Sequence, residues 1–480
     1  MAENYEPKSI QNLPFHLLSE ILTAENLTAI DLVCLALTCR AFGSKQIVNS
    51  QNTPQSKSLA DAAAFQKCNS NRFYKGLPMN TKNELLNRCK GNWMRVLRSL
   101  QGAGGTSSTV QTSNGEMQIT TGRYHSFLIS KSSVYACGWS SSGLLGLGPE
   151  TTQSFTFREI YFNQKAVQVS AAENHAAFVL QSGKVYTCGD NSAYGCGHNE
   201  STLAIFVPKL VEELENVPCK EVATGLNFTL FLTRKGGVYS CGVNNYGQLG
   251  LGDTINRQIP TLVESLERRE SVVKIAAGHS YGMAVTEKGS VYSFGSGNKL
   301  CLGHGRESNE VIPIPIETFD TKGVVVAAVS ASEEHVVALD SSGFVYTWGK
   351  GYCGALGHGD GIDRPLPELV NNLKTSIAIQ VCARKRKTFV VEENGSVYGF
   401  GWNGFGSMGI LGEARVMTPA KLKALKGHSV EQISTGYYHT FCLTREGSLF
   451  SWGDNEKGQL AQPLSSTDSS PNPVFFLNHH

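Results

Sequence analysis

The stretch Gly237-Val238-Tyr239-Ser240-Cys241-Gly242 decides the fold, because six variants of it occur elsewhere in the chain at a nearly constant spacing. The counterparts of its Val238-Tyr239 pair are Val134-Tyr135, Val185-Tyr186, Val291-Tyr292, Val345-Tyr346, Val397-Tyr398 and Leu449-Phe450. In every copy a glycine stands three positions after the aromatic residue. Successive copies are 51, 53, 53, 54, 52 and 52 residues apart. Seven copies at such a period predict seven structural repeats.

The third repeat shows what each unit should contain. Residues 228–233 alternate large and small side chains and predict a strand, residues 234–237 predict a hairpin turn, and a second strand follows. The glycines between 242 and 252 predict a turn-rich connection before a last short strand that Pro260 opens. A sheet of three or four strands cannot bury both of its faces alone, but seven such sheets packed radially can. The sequence therefore predicts a mainly β fold, a seven-bladed β-propeller, over residues 117–477.

A second motif follows the glycine of the repeats and carries a family resemblance. Its third copy reads Tyr246-Gly247-Gln248-Leu249-Gly250-Leu251-Gly252, and variants stand at 144–148 (LLGLG), 355–359 (ALGHG) and 458–462 (GQLAQ). Together with the patterns Gly-x-x-His and Gly-x-Val-Tyr-x-Trp-Gly, this motif resembles the regulator-of-chromosome-condensation repeat family. The resemblance covers about residues 117–477 and also implies a seven-bladed propeller.

The last repeat ends in Pro473-Val474-Phe475-Phe476-Leu477. We predict that this tail strand pairs with the strand around Met117 to Thr121 and so closes the ring of blades. Deleting residues 471–480 should then lower the melting temperature sharply.

The composition argues against several classes of protein. The formal net charge of +2 gives no general attraction to nucleic acid or to a membrane surface, so we expect neither as a direct partner. The N-terminus lacks a secretory signal pattern, and the 13 cysteines are therefore expected as reduced thiols in the nucleus or the cytoplasm. Cys137, Cys188 and Cys241 occupy a repeat position that holds Phe or Trp in the other blades, which predicts buried packing residues. We expect no metal site and no cofactor, since no CxxC pair occurs.

Residues 10–43 predict a small all-α domain ahead of the propeller. Pro14 suits the first turn of a helix, and a second, leucine-rich helix is expected from Asp31 to Phe42. The pattern LPxxLLxxIL before that helix resembles the F-box, which implies binding to a Skp-type adaptor and through it to a cullin ubiquitin ligase. The adaptor contacts implied by the resemblance are Leu13, Pro14, Leu17, Leu18, Ile21, Leu22, Leu32, Val33 and Leu35. The alternative is that these helices simply dock on the propeller.

Residues 59–100 are predicted to form a helical brace between the F-box and the propeller. One helix is expected over residues 59–68, and Thr81-Lys82-Asn83-Glu84 resembles a capping box that should begin another. Gly91 lies inside the apolar stripe of this second helix and could break it. A basic amphipathic helix that binds a membrane or a calmodulin-type protein is the alternative. Residues 101–116, rich in Gly, Ser and Thr, predict a flexible linker.

No catalytic set is predicted in the propeller. One repeat position is His in four blades, but other residue types replace it elsewhere, so we expect packing there and neither a metal ligand nor a base. The seven residues are His125, His175, Phe228, Tyr281, His335, Lys387 and His439.

The two residues before that position vary freely from blade to blade, as expected of recognition loops on a rigid frame. The pairs are Arg123-Tyr124, Glu173-Asn174, Leu226-Asn227, His279-Ser280, Glu333-Glu334, Lys385-Arg386 and Tyr437-Tyr438. As substrate-binding residues we select Arg123, Tyr124, Glu173, Asn174, Glu333, Glu334, Lys385, Arg386, Tyr437 and Tyr438.

Three functions are compatible with these modules. The chain could be a non-catalytic adaptor that brings an unknown substrate protein to a cullin ligase and so raises the effective concentration of its lysines. It could be a nucleotide-exchange factor or scaffold for a small GTPase, as the founding propeller of the family is, although the uniform spacing leaves little room for a wedge insertion. It could sense light, as a plant UV-B photoreceptor with this propeller does, although the variable loops contain no tryptophan. We choose the adaptor.

Overall fold

The computed structural model describes parts of the chain that fall into two compact units, one of residues 1–103 with 341–343 and one of the remaining residues. The described residues are 32, 59–102, 110–112, 115–199, 203–268, 270–463 and 467–474. The predicted F-box helices at 10–43 lie outside them, except that Leu32 is helical and buried. The adaptor contacts therefore stay a prediction.

The first unit contains four helices in its described residues. They are α1 (Leu59–Ser70), α2 (Arg72–Gly76), α3 (Met79–Arg88) and α4 (Trp93–Gly102). Helix α1 packs on α4, with the ring centroids of Phe65 and Trp93 4.6 Å apart. The buried Asp61 carboxylate accepts a hydrogen bond from the Trp93 N–H at 2.7 Å and so satisfies the N-terminus of α4. The apolar stripe predicted for this region is thus packed within the helical unit.

One detail of the helical prediction is wrong. Helix α3 begins at Met79, so the expected capping box at Thr81 lies inside its first turn and does not cap the N-terminus of the helix. The break that Gly91 could cause is present, and two helices form. Lys90 and Gly91 adopt φ values of 55° and 67°, and this left-handed conformation ends α3 before α4 begins.

The described residues of the second unit form seven antiparallel sheets, each of which is one blade. Blade 1 contains β1 (Val110–Thr112), β2 (Gly115–Thr121), β3 (His125–Ser130), β4 (Ser133–Trp139) and β5 (Gln153–Ile160), and blade 2 contains β6 (Ala166–Ala171), β7 (His175–Leu180), β8 (Val185–Asp190) and β9 (Ala204–Leu210). Blade 3 contains β10 (Cys219–Thr224), β11 (Phe228–Thr233), β12 (Val238–Gly242) and β13 (Arg257–Leu262), and blade 4 contains β14 (Val272–Ala277), β15 (Tyr281–Thr286), β16 (Val291–Gly295) and β17 (Glu310–Pro315). Blade 5 contains β18 (Val326–Ala331), β19 (His335–Asp340), β20 (Val345–Gly349) and β21 (Arg364–Leu369), and blade 6 contains β22 (Ala378–Arg384), β23 (Lys387–Glu392), β24 (Val397–Trp402) and β25 (Arg415–Lys421). Blade 7 contains β26 (Val430–Thr435), β27 (His439–Thr444), β28 (Leu449–Asp454) and β29 (Thr467–Pro473).

Short helical segments join some of these blades. They are α5 (Glu264–Glu267) and α6 (Glu317–Thr321), with 3₁₀ turns at Glu212–Leu214, Asn371–Leu373 and Lys423–Leu425, and two further 3₁₀ turns lie within blades at Tyr352–Gly354 and Gly404–Gly406. The seven-bladed propeller is confirmed. The last strand of the third repeat begins earlier than predicted, at Arg257, so Pro260 lies inside β13 and not at its start. The predicted linker is wrong at 110–112 and 115–116, where β1 pairs with β2 as an extra strand of blade 1.

The ring closes differently from the prediction. Strand β29 pairs with β28 of its own blade, with Pro473 opposite Phe450, and not with β2. Strand β2 is already flanked by β1 and β3, which leaves no edge for a tail strand at Met117. Side chains close the ring instead, since the Ile119 N–H of blade 1 donates to Gln432 Oε1 of blade 7 at 2.9 Å. Residues 475–477 of the expected tail strand lie outside the described residues.

The same glutamine contact recurs at other joints between blades. In each case the amide oxygen of an inner-strand glutamine accepts a hydrogen bond of 2.8–3.0 Å from a backbone N–H of the next blade, and the pairs are Gln118–Val169, Gln168–Val222, Gln380–Ile433 and Gln432–Ile119. Blades 3 and 4 carry Glu221 and Lys274 at this position, with their charged atoms 3.7 Å apart. Side-chain contacts thus link the inner strands of neighbouring blades around a narrow channel of about 100 Å³.

The backbone conformation explains why glycine recurs at this position of the repeat. Gly242 has a φ of 111°, and a Cβ at this position would lie 2.3 Å from the carbonyl oxygen of Asn227. The equivalent glycines of the other blades have φ values between 102° and 114°. Any larger residue would force the third strand away from the variable pair of its blade. The motif that reveals the fold therefore also fixes the position of the candidate recognition loops.

Candidate functional site

All seven variable pairs lie on one end of the propeller. Each pair directly precedes the second strand of its blade, where the strands of blade 1 are counted from β2. Because successive strands are antiparallel, the connection after the first strand and the connection after the third strand emerge at the same end of a blade. We call this end the loop face. The structure therefore brings the predicted substrate-binding residues onto a common surface.

Carboxylates of blade 5 and cations of blade 6 join these two blades on the loop face. Glu333 Oε1 lies 3.6 Å from Arg384 Nε, and its other oxygen accepts a hydrogen bond from the Lys385 N–H. Glu334 accepts a hydrogen bond of 2.7 Å from Arg386 Nε. Burial raises the pKa of Glu334, but the hydrogen bond and charge of Arg386 outweigh it and hold that pKa below its usual range. Both carboxylates are thus already paired within the propeller.

Tyr437 of blade 7 is the centre of a second cluster, at the mouth of the channel. Its ring centroid lies 4.8 Å from Lys385 Nζ and 5.6 Å from the guanidinium carbons of Arg123 and Arg384. Its hydroxyl donates to Glu173 Oε2 at 3.0 Å, and Glu173 also pairs with Arg123. Burial raises the pKa of Tyr437, which keeps the phenol protonated and able to donate. Blades 1, 2, 6 and 7 are therefore linked across the end of the channel.

A row of aromatic side chains runs across the loop face from blade 1 to blade 6. The ring of Tyr124 lies 6.3 Å from that of Trp139 and 5.8 Å from that of Tyr438. Tyr438 in turn lies 5.2 Å from Phe405 and 6.0 Å from Trp402. Trp139 is 37% exposed and Phe405 is 49% exposed. We call these five residues the aromatic row, in which Tyr124, Trp402 and Tyr438 are half-buried. A group of aromatic side chains that reaches the surface in this way is typical of a binding surface.

The sequence analysis selected Tyr124 and Tyr438 and missed the other three rings. Trp139 and Trp402 are the last residues of β4 and β24, and Phe405 lies in the connection that follows β24. The signal was present, because Trp139 and Trp402 each directly follow the repeated glycine of their blade. That position places a side chain at the start of a loop-face connection.

Another missed residue is Tyr352 of blade 5, which is 48% exposed. The guanidinium carbon of Arg386 lies 4.9 Å from its ring centroid, and that of Arg415 lies 5.3 Å away. Arg386 is bound to Glu334, whereas Arg415 forms no ion pair with a carboxylate of the described residues. We call Tyr352, Arg386 and Arg415 the arginine–tyrosine cluster.

The variable pairs of blades 3 and 4, which were not selected from the sequence, line a groove of about 390 Å³. Asn227 and His279 contribute one wall, and Tyr246 and Lys299 come from the neighbouring connections. Burial lowers the pKa of His279, so its imidazole is neutral near pH 7. This groove offers amide, imidazole and aromatic groups, and it extends the loop face beyond the ten selected residues.

The repeat position shared by histidines is buried, as predicted, and joins neighbouring blades. Nε2 atoms lie 2.7–2.9 Å from a hydroxyl of the next blade in the pairs His175–Thr229, His335–Thr388 and His439–Ser126. Burial lowers the pKa of His175 to about 4 and that of His335 to about 4. In blade 2 the residue that would face His125 is Ala176, and neither ring nitrogen of His125 has a hydrogen-bond partner among the described residues.

Lys387 fills the same position in blade 6 and is fully buried. Its Nζ donates to the carbonyl oxygen of Tyr437 at 3.2 Å. Burial lowers its pKa to about 7. These contacts give the position a structural role, which is the one expected from its mixture of residue types.

The packing prediction for Cys137, Cys188 and Cys241 is confirmed, since all three are buried and burial raises the pKa of each thiol. Across the described ranges, no group of three or more His, Cys, Asp or Glu residues is placed to hold a metal ion. No helix in those ranges combines the length and the apolar character needed to cross a membrane.

Comparison with known families tests the repeat independently. The RCC1-like domain family matches residues 99–383, which are more than half of the chain, and the regulator of chromosome condensation (RCC1) repeat matches residues 394–443 and 430–459. The chain belongs to the RCC1 repeat family. These matches do not cover residues 10–43, so they do not test the F-box resemblance.

Individual RCC1-repeat relatives differ in how much of their length this chain matches. The ultraviolet-B receptor UVR8 of Arabidopsis thaliana is 32% identical over 345 residues, which are 71% of this chain and 78% of UVR8. The E3 ubiquitin-protein ligase HERC2 of Homo sapiens is 29% identical over 350 residues, which are 72% of this chain but 7% of HERC2. The crystal structure of Prp20p from Saccharomyces cerevisiae has a TM-score of 0.65 and 19% identity over 79% of this chain and 90% of Prp20p, and it shows the shared fold.

Proposed function

We propose that the propeller binds a partner protein through its loop face and that the chain is a non-catalytic, substrate-recognition adaptor of a Skp–cullin ubiquitin ligase. The aromatic row is the observation that carries the first half of this proposal. Trp, Tyr and Arg are the residue types that dominate binding energy at protein interfaces. Here these residue types share one surface, on which Phe405 and Trp139 are exposed. The guanidinium carbon of Arg123 lies 5.0 Å from the ring centroid of Tyr124.

The loop face is also rigid enough for recognition. The ion pairs Arg123–Glu173 and Arg386–Glu334 and the cluster around Tyr437 tie neighbouring blades together. Side chains held in this way lose little freedom on binding, so less of the interaction energy is spent on ordering them.

The ligase half of the proposal rests on the sequence of residues 10–43 and on one similarity. An apolar helix face laid in a partner groove concentrates its binding energy in a few buried side chains, such as the predicted anchors Leu13 and Pro14. HERC2, a relative that contains a matching RCC1-repeat region, is named an E3 ubiquitin-protein ligase. The chain matches only 7% of HERC2, so the ligase connection is proposed for the whole protein and not read from the propeller.

Co-expression with a Skp-type adaptor and a cullin, followed by size-exclusion chromatography, tests the ligase role. We expect a co-eluting complex that is lost on combined Leu13→Ala and Pro14→Ala substitution. The matched control is combined Phe405→Ala and Tyr438→Ala substitution on the loop face, which should leave the adaptor complex intact. Without a complex for the unmodified chain, the ligase role would be wrong. Faster nucleotide release from a small GTPase would then favour the exchange-factor alternative.

A photo-crosslinking residue at Phe405 tests the loop face in cells. We expect protein adducts with this residue and not with the same residue at Arg268, which is exposed in the connection after β13 and therefore on the opposite end of the propeller. Adducts of equal yield at both positions would refute a dedicated binding face.

A further inference from the structure

We infer that the loop face takes an acidic, extended segment of the partner protein, with its carboxylates on the arginine–tyrosine cluster and its apolar side chains on the aromatic row. This inference rests on the proposed partner-binding function and adds the chemistry of the partner.

The charge balance of the loop face carries the first step. Three carboxylates of the variable pairs are present, Glu173, Glu333 and Glu334, and each is already paired with an arginine of a neighbouring blade. Lys385 and Arg415 form no ion pair with a carboxylate of the described residues. Lys385 and Arg415 are therefore two cations of this surface that no carboxylate of the described residues pairs with.

The geometry of the arginine–tyrosine cluster carries the second step. The guanidinium carbons of Arg386 and Arg415 both lie within 5.3 Å of the centroid of one exposed ring, Tyr352. The hydrogen bonds to Glu334 at 2.7 and 3.5 Å use Nε and one terminal nitrogen of Arg386. The other terminal nitrogen of Arg386 and the whole guanidinium of Arg415 have no carboxylate partner among the described residues. Guanidinium groups bind carboxylates through paired hydrogen bonds, so the donors of this cluster that have no carboxylate partner suit an acidic side chain.

The neighbouring surface carries the third step. Phe405 and Tyr438 of the aromatic row lie in blades 6 and 7, and blade 6 also supplies Arg386 and Arg415. A folded domain with a flat acidic surface would leave these rings partly in contact with water. An extended segment can reach both groups, because its acidic side chains can contact the cations at one part of its length and its apolar side chains can contact the rings at another.

Fluorescence anisotropy of the full-length protein with labelled peptides tests the inference. The probe is a short glutamate-rich peptide with a central tryptophan, compared with the same peptide carrying lysine in place of glutamate. We expect binding of the acidic peptide alone, weakened by added salt. Combined Arg386→Gln and Arg415→Gln substitution should weaken it at least about tenfold, which is about 1.4 kcal/mol. The control with the same loss of charge is Arg234→Gln with Arg268→Gln, on the opposite end of the propeller, and it should bind as the unmodified protein does.

Arg415→Gln alone is a control for misfolding of the double variant. Arg415 is exposed, and its substitution leaves no acidic side chain without its ion-pair partner. It should weaken the acidic peptide severalfold with an unchanged melting temperature. Equal affinity for the acidic and basic peptides would overturn the inference. So would tighter binding of a single-stranded oligonucleotide of equal charge, because the surface would then select phosphates. Crosslinked partners at Phe405 together with no acidic-peptide binding would refute the acidic segment and leave the partner-binding function standing.

Discussion

The contact that closes the ring can be tested with one buried side chain. Gln432 of blade 7 is fully buried, and its amide oxygen accepts the Ile119 N–H of blade 1 at 2.9 Å. Gln432→Leu keeps the approximate size of the side chain but removes this acceptor. A buried N–H that loses its partner costs about 1–3 kcal/mol. With about 2.1 cal/mol/K of unfolding entropy per residue, the chain of 480 residues should lose about 1–3 °C of melting temperature.

The matched control is Gln380→Leu, which removes the same hydrogen bond between blades 6 and 7, where Gln380 Oε1 accepts from the Ile433 N–H at 2.8 Å. Differential scanning calorimetry should give losses of similar size for the two variants, because both joints use the same contact. A loss for Gln380→Leu with none for Gln432→Leu would refute the account. Something other than this glutamine, such as a tail strand, would then close the ring.

Two further outcomes are expected from the buried repeat position. His175→Phe should lower the free energy of unfolding by about 1–2 kcal/mol, because the Thr229 hydroxyl loses its hydrogen bond of 2.7 Å to the imidazole. His125→Phe removes no such hydrogen bond and should cost little. Equal losses of stability in thermal melts of the two variants would contradict the assignment. Burial lowers the pKa of Lys387 from 10.5 to about 7 in the folded protein. Between these pH values the unfolded chain binds a proton that the folded protein does not bind, so stability should fall as the pH drops from about 10 to 7. Lys387→Met should remove that pH dependence in urea unfolding, and an unchanged slope would show that Lys387 does not cause it.

Much of the fold followed from the sequence because the repeat is local. A glycine three residues after Tyr239 is needed wherever the third strand passes the variable pair, so the motif marks all seven blades. The hairpin at residues 234–237 is likewise set by neighbours in sequence. The variable pairs occupy the same place in every repeat, so their position at one end of the propeller also followed from the sequence.

The errors came from contacts that the local pattern does not contain. The linker error has a different cause, because the composition of residues 101–116 resembled a linker although β1 forms a local hairpin with β2, in which Thr112 lies opposite Gly115. The tail strand was assigned to β2, although β28 offers an edge within the same blade and β2 does not. Thr81 had the spacing of a capping box, but packing extends α3 back to Met79.

The sequence by itself determined the number of blades, the order of strands and the identity of ten candidate residues, because each depends on spacing within one repeat. Only the tertiary structure decided which of these side chains meet. Glu173 of blade 2 and Tyr437 of blade 7 are 264 residues apart in sequence, yet the ring brings their side chains to 3.0 Å. The aromatic row and the uncompensated charge of Arg415 likewise arise between blades. A repeat specifies its own strands, whereas a binding surface at the end of a propeller is assembled from loops of several repeats, and their meeting is set by the closure of the ring.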